Sequence, residues 1–337
     1  MKRAATGALV GLAVGDAMGF PTEFHDMTEI AAKCGPWRTM ELPLASGTAY
    51  VTDDTQMTLA LGEGLAEALA GGRALTAAGM EPPVRARFVE WYRSPDNNRA
   101  PGATCLRACG ALSRGGRWQA ASDLGSKGCG ANMRVAPLGL VPGLDRHQRS
   151  GAAQLQSALT HGHPTALAAS DLTACAVRLL ADGTGPGELL PALREYARES
   201  REVYPGDWLG DLADRAHDPD RAAFAARGWD ECLAVLARLA DALRTADPEA
   251  DPCLATGAGW VAEEALAAGL FCFLMLPDDP PAAVRRAAYS SGDSDSIAAL
   301  AGAFAGAHHG AGAWPDAWVR DIEYRDRLLA LGAAWDA

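Results

Sequence analysis

The chain has 337 residues, of which 49% are hydrophobic and 21% charged, ample material for a large core in a soluble globular protein. A formal net charge of −12 and a pI near 5.0 exclude a surface built to coat nucleic acid. Eight cysteines occur without a C-x-x-C pair, and several lie inside apolar helical runs, so reduced buried thiols in a cytoplasmic setting are expected. Cys105 and Cys109 are spaced to share a helix face, but no second ligand pair accompanies them as zinc would require.

Helical periodicity dominates from the first residues. The opening run, "MKRAATGALVGLAVGDAMGF", imitates a signal peptide. Its apolar part covers only about twelve residues and ends at Asp16, too short to span a bilayer, and it reads as a buried helix. Gly7, Gly11, Gly15 and Gly19 recur every four residues, as do Gly302, Gly306 and Gly310 near the other end, a spacing that lets two core helices approach closely. Further helices are expected over 54–70, 83–93, 103–114, 165–181, 188–200, 221–245, 258–275, 281–289, 294–308 and 316–330. Turns separate them at "GFP" (19–21), "EPP" (81–83), "SPDNNRAPG" (94–102), "GTGPG" (183–187), "ADPEADP" (246–252) and "PDDPP" (277–281). Strictly alternating β-branched runs are nearly absent and no long linker occurs, so residues 1–337 read as one all-α domain, a compact single-domain helical bundle.

The stretch "YVTDDTQM" places Asp53 and Asp54 at the start of a helix. Asp53 followed by Gln56 fits an N-capping box, and acids in a first turn suit the helix dipole. The same grammar recurs at "SSGDSDSIAALAGAFAGAHHG", where Asp293 and Asp295 precede an Ala/Gly-rich helix. Two such helices packed closely would gather four carboxylates, which cannot all stay ionised together without cations. Hard oxygen donors of this kind suit magnesium or manganese. An EF-hand is excluded because the loop grammar stops at Ile297, and a prenyl-diphosphate Asp-rich motif because Met57 stands where a further aspartate is wanted. Glu23 follows the tight Gly-Phe-Pro turn near Asp16. Glycines 125, 128 and 130 surround Ser126, Lys127 and Cys129 in a loop able to present backbone N–H groups to a phosphate. His308 and His309, being adjacent, face different ways and fit a helix end better than a metal site. Arg134 reads as a structural residue.

Taken together and in order, "GDAMGFPTEF" (15–24), "TDDTQM" (52–57), "SKGCGANMRVAP" (126–137), "TH" (160–161) and "GDSDSIAALAGAFAGA" (292–307) resemble the ADP-ribosylhydrolase (ADP-ribosylglycohydrolase) family, the group that includes dinitrogenase-reductase-activating glycohydrolase. The resemblance implies an orthogonal all-α bundle with a binuclear centre of two Mg2+, or Mn2+. By position, Thr52, Asp53 and Asp54 form one ligand segment and Asp293, Asp295 and Ser296 the other. Glu23 falls where the family has a flexible glutamate beside the substrate ribose, and Glu23 or Asp295 would act as the proton-accepting carboxylate. Gly125, Ser126, Lys127, Gly128, Cys129 and Gly130 fall where ADP-ribose is held, with His161 at the pocket border. Cys129 replaces a common asparagine, Ser296 a common threonine, and Lys127 stands where an aromatic often precedes the loop's second glycine. Lys127 is therefore expected to reach the diphosphate, with a stacking partner for adenine supplied from elsewhere. The implied partners are an ADP-ribosylated protein or small molecule and the product ADP-ribose, with no membrane. An arginine-linked acceptor is favoured, for which Tyr204, Asp207, Trp208 and Asp211 offer a guanidinium-binding surface; nucleic-acid-linked ADP-ribose stays open. A non-catalytic ADP-ribose-binding module is the competing reading.

Overall fold

The computed structural model describes residues 2–72 and 74–336. Within them the chain forms 17 α-helices and no strand; extended backbone meets only in isolated bridges. The all-α expectation therefore holds.

The first helix, Ala4–Gly19, is buried from Ala5 onward. With the turn that follows it makes a 19-residue segment, Ala4–Thr22, of mean hydropathy 1.2, so by length and composition alone it could cross a membrane, against the expectation that it is too short. Its apolar surface is instead consumed by packing, 83% of it being buried inside the fold. The main partner is the helix Ser294–His309, and the glycine spacing shows why. A Cβ placed on Gly11 would lie 2.3 Å from Gly302 O, one on Gly15 2.0 Å from Ala298 O, and one on Gly19 2.4 Å from Ser294 O. No real side chain tolerates such distances, so the backbones themselves are in van der Waals contact along four turns. The seam carries Asp16 and the turn after Gly19 up against the residues 293–296 at the start of the partner helix.

Elsewhere the structure departs from the pattern in physically readable ways. "EPP" is no turn: Pro82 and Pro83 lie inside the helix Ala77–Arg93. Two lost N–H donors are outweighed there by burial of Met80, Val84, Phe88 and Trp91. The helices Met27–Cys34 and Arg146–Ala158 were not expected; each is opened by a capping box, Asp26 with Glu29 and Asp145 with Gln148. The second hides its periodicity because it buries polar Gln154, Gln156 and Ser157 beside Leu155. The helix expected from 258 begins only at Ala262, since Gly257 and Gly259 take left-handed φ values of 104° and 82°. The last helical stretch breaks in two at Tyr324, whose φ is 56°.

Candidate active site

Thr52, not Asp53, caps the helix Asp53–Ala68: its hydroxyl accepts from Asp54 N at 3.3 Å. The capping-box partner expected of Asp53 is also occupied otherwise, Gln56 accepting from Trp91 Nε1 and donating to Asp96 O. Asp53 is thereby free to face inward, where its Oδ2 accepts from Gly102 N at 3.1 Å. Thr52 links the cluster to what lies behind it, its hydroxyl being 3.4 Å from Asp54 Oδ2. Its hydroxyl and N–H both donate to the fully buried Asp16, which also accepts from Thr55 N and Thr55 Oγ1. Asp16 is thus a hub tying the first helix to the Asp53 helix, a role that the sequence reading missed. Its signal was a lone acid terminating an otherwise apolar helical run.

The second half of the site hangs on Thr22. Its hydroxyl lies 2.6 Å from Ala288 O, 2.7 Å from Gly19 O and 3.0 Å from Ser294 Oγ, and this staple fixes the turn that presents Glu23. Carboxylate oxygens of Glu23, Asp293 and Asp295 come within 4.8 Å of one another. Asp53 and Asp54 line the same cavity of about 330 Å³, as do Ser296, Met133, Gly128, Cys129, Gly130 and His161. Five carboxylates therefore share one cavity whose lining includes no lysine or arginine. Burial, reinforced by Asp295 and the neighbouring acids, pushes the Glu23 carboxyl up to about 9 and Asp16 up to about 7. Asp53 rises to about 8 through burial in the first place, and Asp54 and Asp293 lie well above the usual carboxylate range for the same reasons. Asp54 Oδ1 and Glu23 Oε2 are buried with no hydrogen-bond partner, a costly state for a carboxylate unless a cation completes it.

The glycine loop enters this cavity only in part. Gly128, Cys129 and Gly130 line it; a Cβ on Gly130 would press to 2.7 Å from Cys105 Sγ. Gly125 lines an adjoining groove with Arg107, Asp123 and Arg215. Ser126 Oγ sits 3.1 Å from Thr104 Oγ1, and Thr104 lines both spaces. Lys127 does not line the cavity. Its ammonium pairs with Glu231 at 2.7 Å and with Glu263, because a cation beside two acids from neighbouring helices is better satisfied there than in open solvent. In this structure Lys127 thus anchors the loop and stands outside the cavity lining. Nor do Tyr204, Asp207, Trp208 or Asp211 line the cavity. Asp207 meets His147, Asp211 meets Arg117, and Trp208 packs on Gly151. The aromatic residues that do line it, Phe24 and Trp260, went unnoticed in the sequence. His309 ends its helix on Pro277 O, and Cys105 and Cys109 belong to no metal-ligating cluster among the described residues.

His161 is oriented from behind. Arg134, fully buried over the Phe88 ring, donates to Gln156 Oε1, Gln156 O, Gly130 O and Thr160 Oγ1. Thr160 Oγ1 accepts from Arg134 and lies 2.8 Å from His161 Nδ1, so the pair fixes the imidazole from the side away from the cavity. Burial, with Arg134 and Arg107 nearby, pulls His161 down to about 3, so its imidazole is neutral at physiological pH. Arg134→Met should cost about 3 kcal/mol or more by stranding four acceptors. Arg134→Lys should restore little, because one ammonium cannot span them. Urea unfolding of the two variants checks this, and a wild-type midpoint for Arg134→Met would refute it.

This arrangement is matched by a family model described as ADP-ribosylglycohydrolase, which covers residues 1–336. The chain belongs to the ADP-ribosylglycohydrolase family. Its relatives include the ADP-ribosyl-[dinitrogen reductase] glycohydrolase of Rhodospirillum rubrum, 26% identical over 97% of this chain and 96% of that protein. The ADP-ribosylarginine hydrolase Tri1 of Pseudomonas putida is also 26% identical, over 97% of this chain and 76% of its own. Among solved structures, an ADP-ribosylglycohydrolase-related protein complex superposes with a TM-score of 0.67 at 26% identity, covering 99% of this chain and 97% of that one. As an ADP-ribosylglycohydrolase family member, the chain is supported as a glycohydrolase, and its carboxylate-lined cavity is where such chemistry would be placed.

Proposed function

We propose that the protein hydrolyses the glycosidic bond at the anomeric carbon of the distal ribose of ADP-ribosylated groups, arginine-linked ones in preference, and releases ADP-ribose in the cytoplasm. The observation that carries this reading is the cluster of five buried carboxylates in one cavity, two of them with an oxygen lacking any partner. That donor set fits two Mg2+, or Mn2+, with Asp53, Asp54, Asp293 and Asp295 as ligands and Ser296 Oγ beside them. Thr52 would add its hydroxyl oxygen, which keeps a lone pair for a cation while its proton goes to Asp16. When bound, such ions supply neutralising charge, orientation of ribose hydroxyls and a more acidic water.

The chain's own residues then divide the remaining work. Departure of the acceptor leaves oxocarbenium character on the ribose, and the surrounding carboxylates stabilise that charge. Glu23 and Asp295 stand where a carboxylate oxygen can take the proton of the attacking water. His161 offers a hydrogen-bonding ring edge from the glycine-loop side, and Gly128 and Gly130 let ligand atoms approach the backbone. The preference for arginine rests on the negative cavity, which favours a guanidinium over a neutral acceptor, and on the resemblance to the arginine-directed relative.

Arginine-, serine-, acetyl- and nucleic-acid-linked ADP-ribose, each offered with Mg2+ and with chelator, form the deciding panel. Metal-dependent release of ADP-ribose, fastest from the arginine-linked substrate, is the expected result. Release from none of them, with ADP-ribose still bound, would instead make the protein a binding module.

A further inference from the structure

Two large aromatic side chains stand outside the apolar core at the mouth of the cavity. Phe24 is 69% exposed and Trp260 42% exposed. Their rings stack on each other with centroids 5.3 Å apart and planes inclined by 17°. They arrive from opposite sides. Phe24 follows Glu23 in the turn stapled by Thr22. Trp260 precedes the helix Ala262–Met275, and its carbonyl accepts from Cys129 N at 3.1 Å. The pair therefore roofs the space between the carboxylate cluster and the glycine loop, both rings contributing to its lining.

Core packing does not account for this placement, since both rings remain in solvent. Backbone preference does not either. Phe24 adopts φ 64°, a left-handed conformation unfavourable for a bulky residue that persists only where the surroundings impose it. What the position does offer is two π faces above a cavity with five carboxylates and no lining cation. Ring faces attract cations, a planar guanidinium best of all, and the field of the acids adds to that attraction. Phe24 is chained directly to Glu23, so the pair stands beside a carboxylate that the proposed hydrolysis places at the ribose.

Resting on the hydrolase reading above, we infer that Phe24 and Trp260 form the subsite that selects the acceptor: an aromatic slot, closed on itself in the free protein, which opens to take a planar, positively charged leaving group. They are specificity-determining residues, distinct from the carboxylates that act on the ribose.

The test compares arginine- and serine-linked ADP-ribosyl peptides of otherwise identical sequence, and titrates agmatine as a guanidinium probe by calorimetry. Trp260→Ala and Phe24→Leu should each lower the arginine-to-serine ratio of kcat/KM about tenfold, in line with one desolvated cation–π contact. Trp260→Ala should weaken agmatine binding at least fivefold, and Trp260→Phe should recover most of both losses. Leu254→Ala, at an 84% exposed position in the neighbouring helix Pro252–Thr256, should change neither quantity. An unchanged ratio, or an equal loss on both peptides, overturns the inference and makes the pair a plain roof over the ribose. If the wild type cleaves neither peptide, the hydrolase reading fails, and agmatine binding alone decides: equal affinity in wild type and Trp260→Ala rejects the slot.

Discussion

Gly15→Ala will destabilise the protein by about 3 kcal/mol or more, although alanine is the better helix former by about 1 kcal/mol. The added Cβ would sit 2.0 Å from Ala298 O and 2.3 Å from Ala298 C. These are backbone atoms in the middle of a buried helix, so no side chain can swing aside to make room. The two helices must part, and with them Asp16 withdraws from the residues 293–296. Hydrolysis should fall together with stability. Gly187→Ala supplies the contrast: it too is a helical glycine, in Pro186–Ser200, but an added Cβ there meets nothing within 4 Å. That variant should match the wild type or gain slightly. Chemical denaturation followed by circular dichroism checks both, and a Gly15→Ala midpoint equal to wild type would contradict the contact between the helices.

Asp295→Asn will separate stability from activity. Release of ADP-ribose should drop by about a hundred- to a thousandfold, the scale of losing one charge-stabilising group at a reacting centre. In chelator, however, the variant should be at least as stable as the wild type at pH 8, because Asp295 is the neighbour whose charge, after burial itself, pushes up Glu23, Asp54 and Asp293. Metal-free wild type will show the reason in its pH dependence. Asp16, Asp53 and Glu23 keep their protons in the folded state up to about 7, 8 and 9, whereas in the unfolded chain they release them near pH 4. The folded state binds more protons across that window. Stability from these groups is full below about pH 4 and is lost as pH rises toward 9. Mg2+ should oppose the loss, contributing about 2.7 kcal/mol at a hundredfold excess over its Kd, and should do so in the wild type far more than in Asp295→Asn. Melting curves at pH 5, 7 and 8.5, with Mg2+ and with chelator, test the whole set. A wild-type Tm indifferent to Mg2+ would remove the cation centre from the proposal.

Asp53, Asp54, Asp293 and Asp295 could be picked out of the sequence because acids directly ahead of apolar helical runs are conspicuous, and the second pair repeated the grammar of the first. The glycine stripes were legible for a similar reason: a four-residue period survives in one dimension, and the expected close approach is what the structure shows. Legibility ended where a side chain's partner lies far along the chain. Thr52 reads as a ligand from its place beside Asp53 and Asp54, but its bond to Asp16, 36 residues earlier, has no local signal. Lys127 reads as a phosphate contact, and nothing near it in sequence announces its pairs with Glu231 and Glu263. Phe24 and Trp260 carry no local pattern that announces their meeting. The helix Arg146–Ala158 stayed hidden because buried polar networks demand Gln154 and Gln156 where an apolar stripe would otherwise stand.

The glycine seam also sets a schedule for synthesis. Gly15 and Ala298, whose backbones touch, are separated by 283 positions of sequence. At roughly 5–20 residues per second, the first helix leaves the ribosome about 15–60 s before the surface it was shaped for. Its grooved apolar face must be shielded through that interval, by a chaperone or by provisional contacts that are later exchanged, and so many long-range contacts slow the final docking. The acids of the N-terminal and C-terminal segments remain apart, each solvated and harmless, until the last quarter of the chain arrives. The nascent protein is thus spared a concentrated negative charge, and any capture of metal falls after folding is nearly complete.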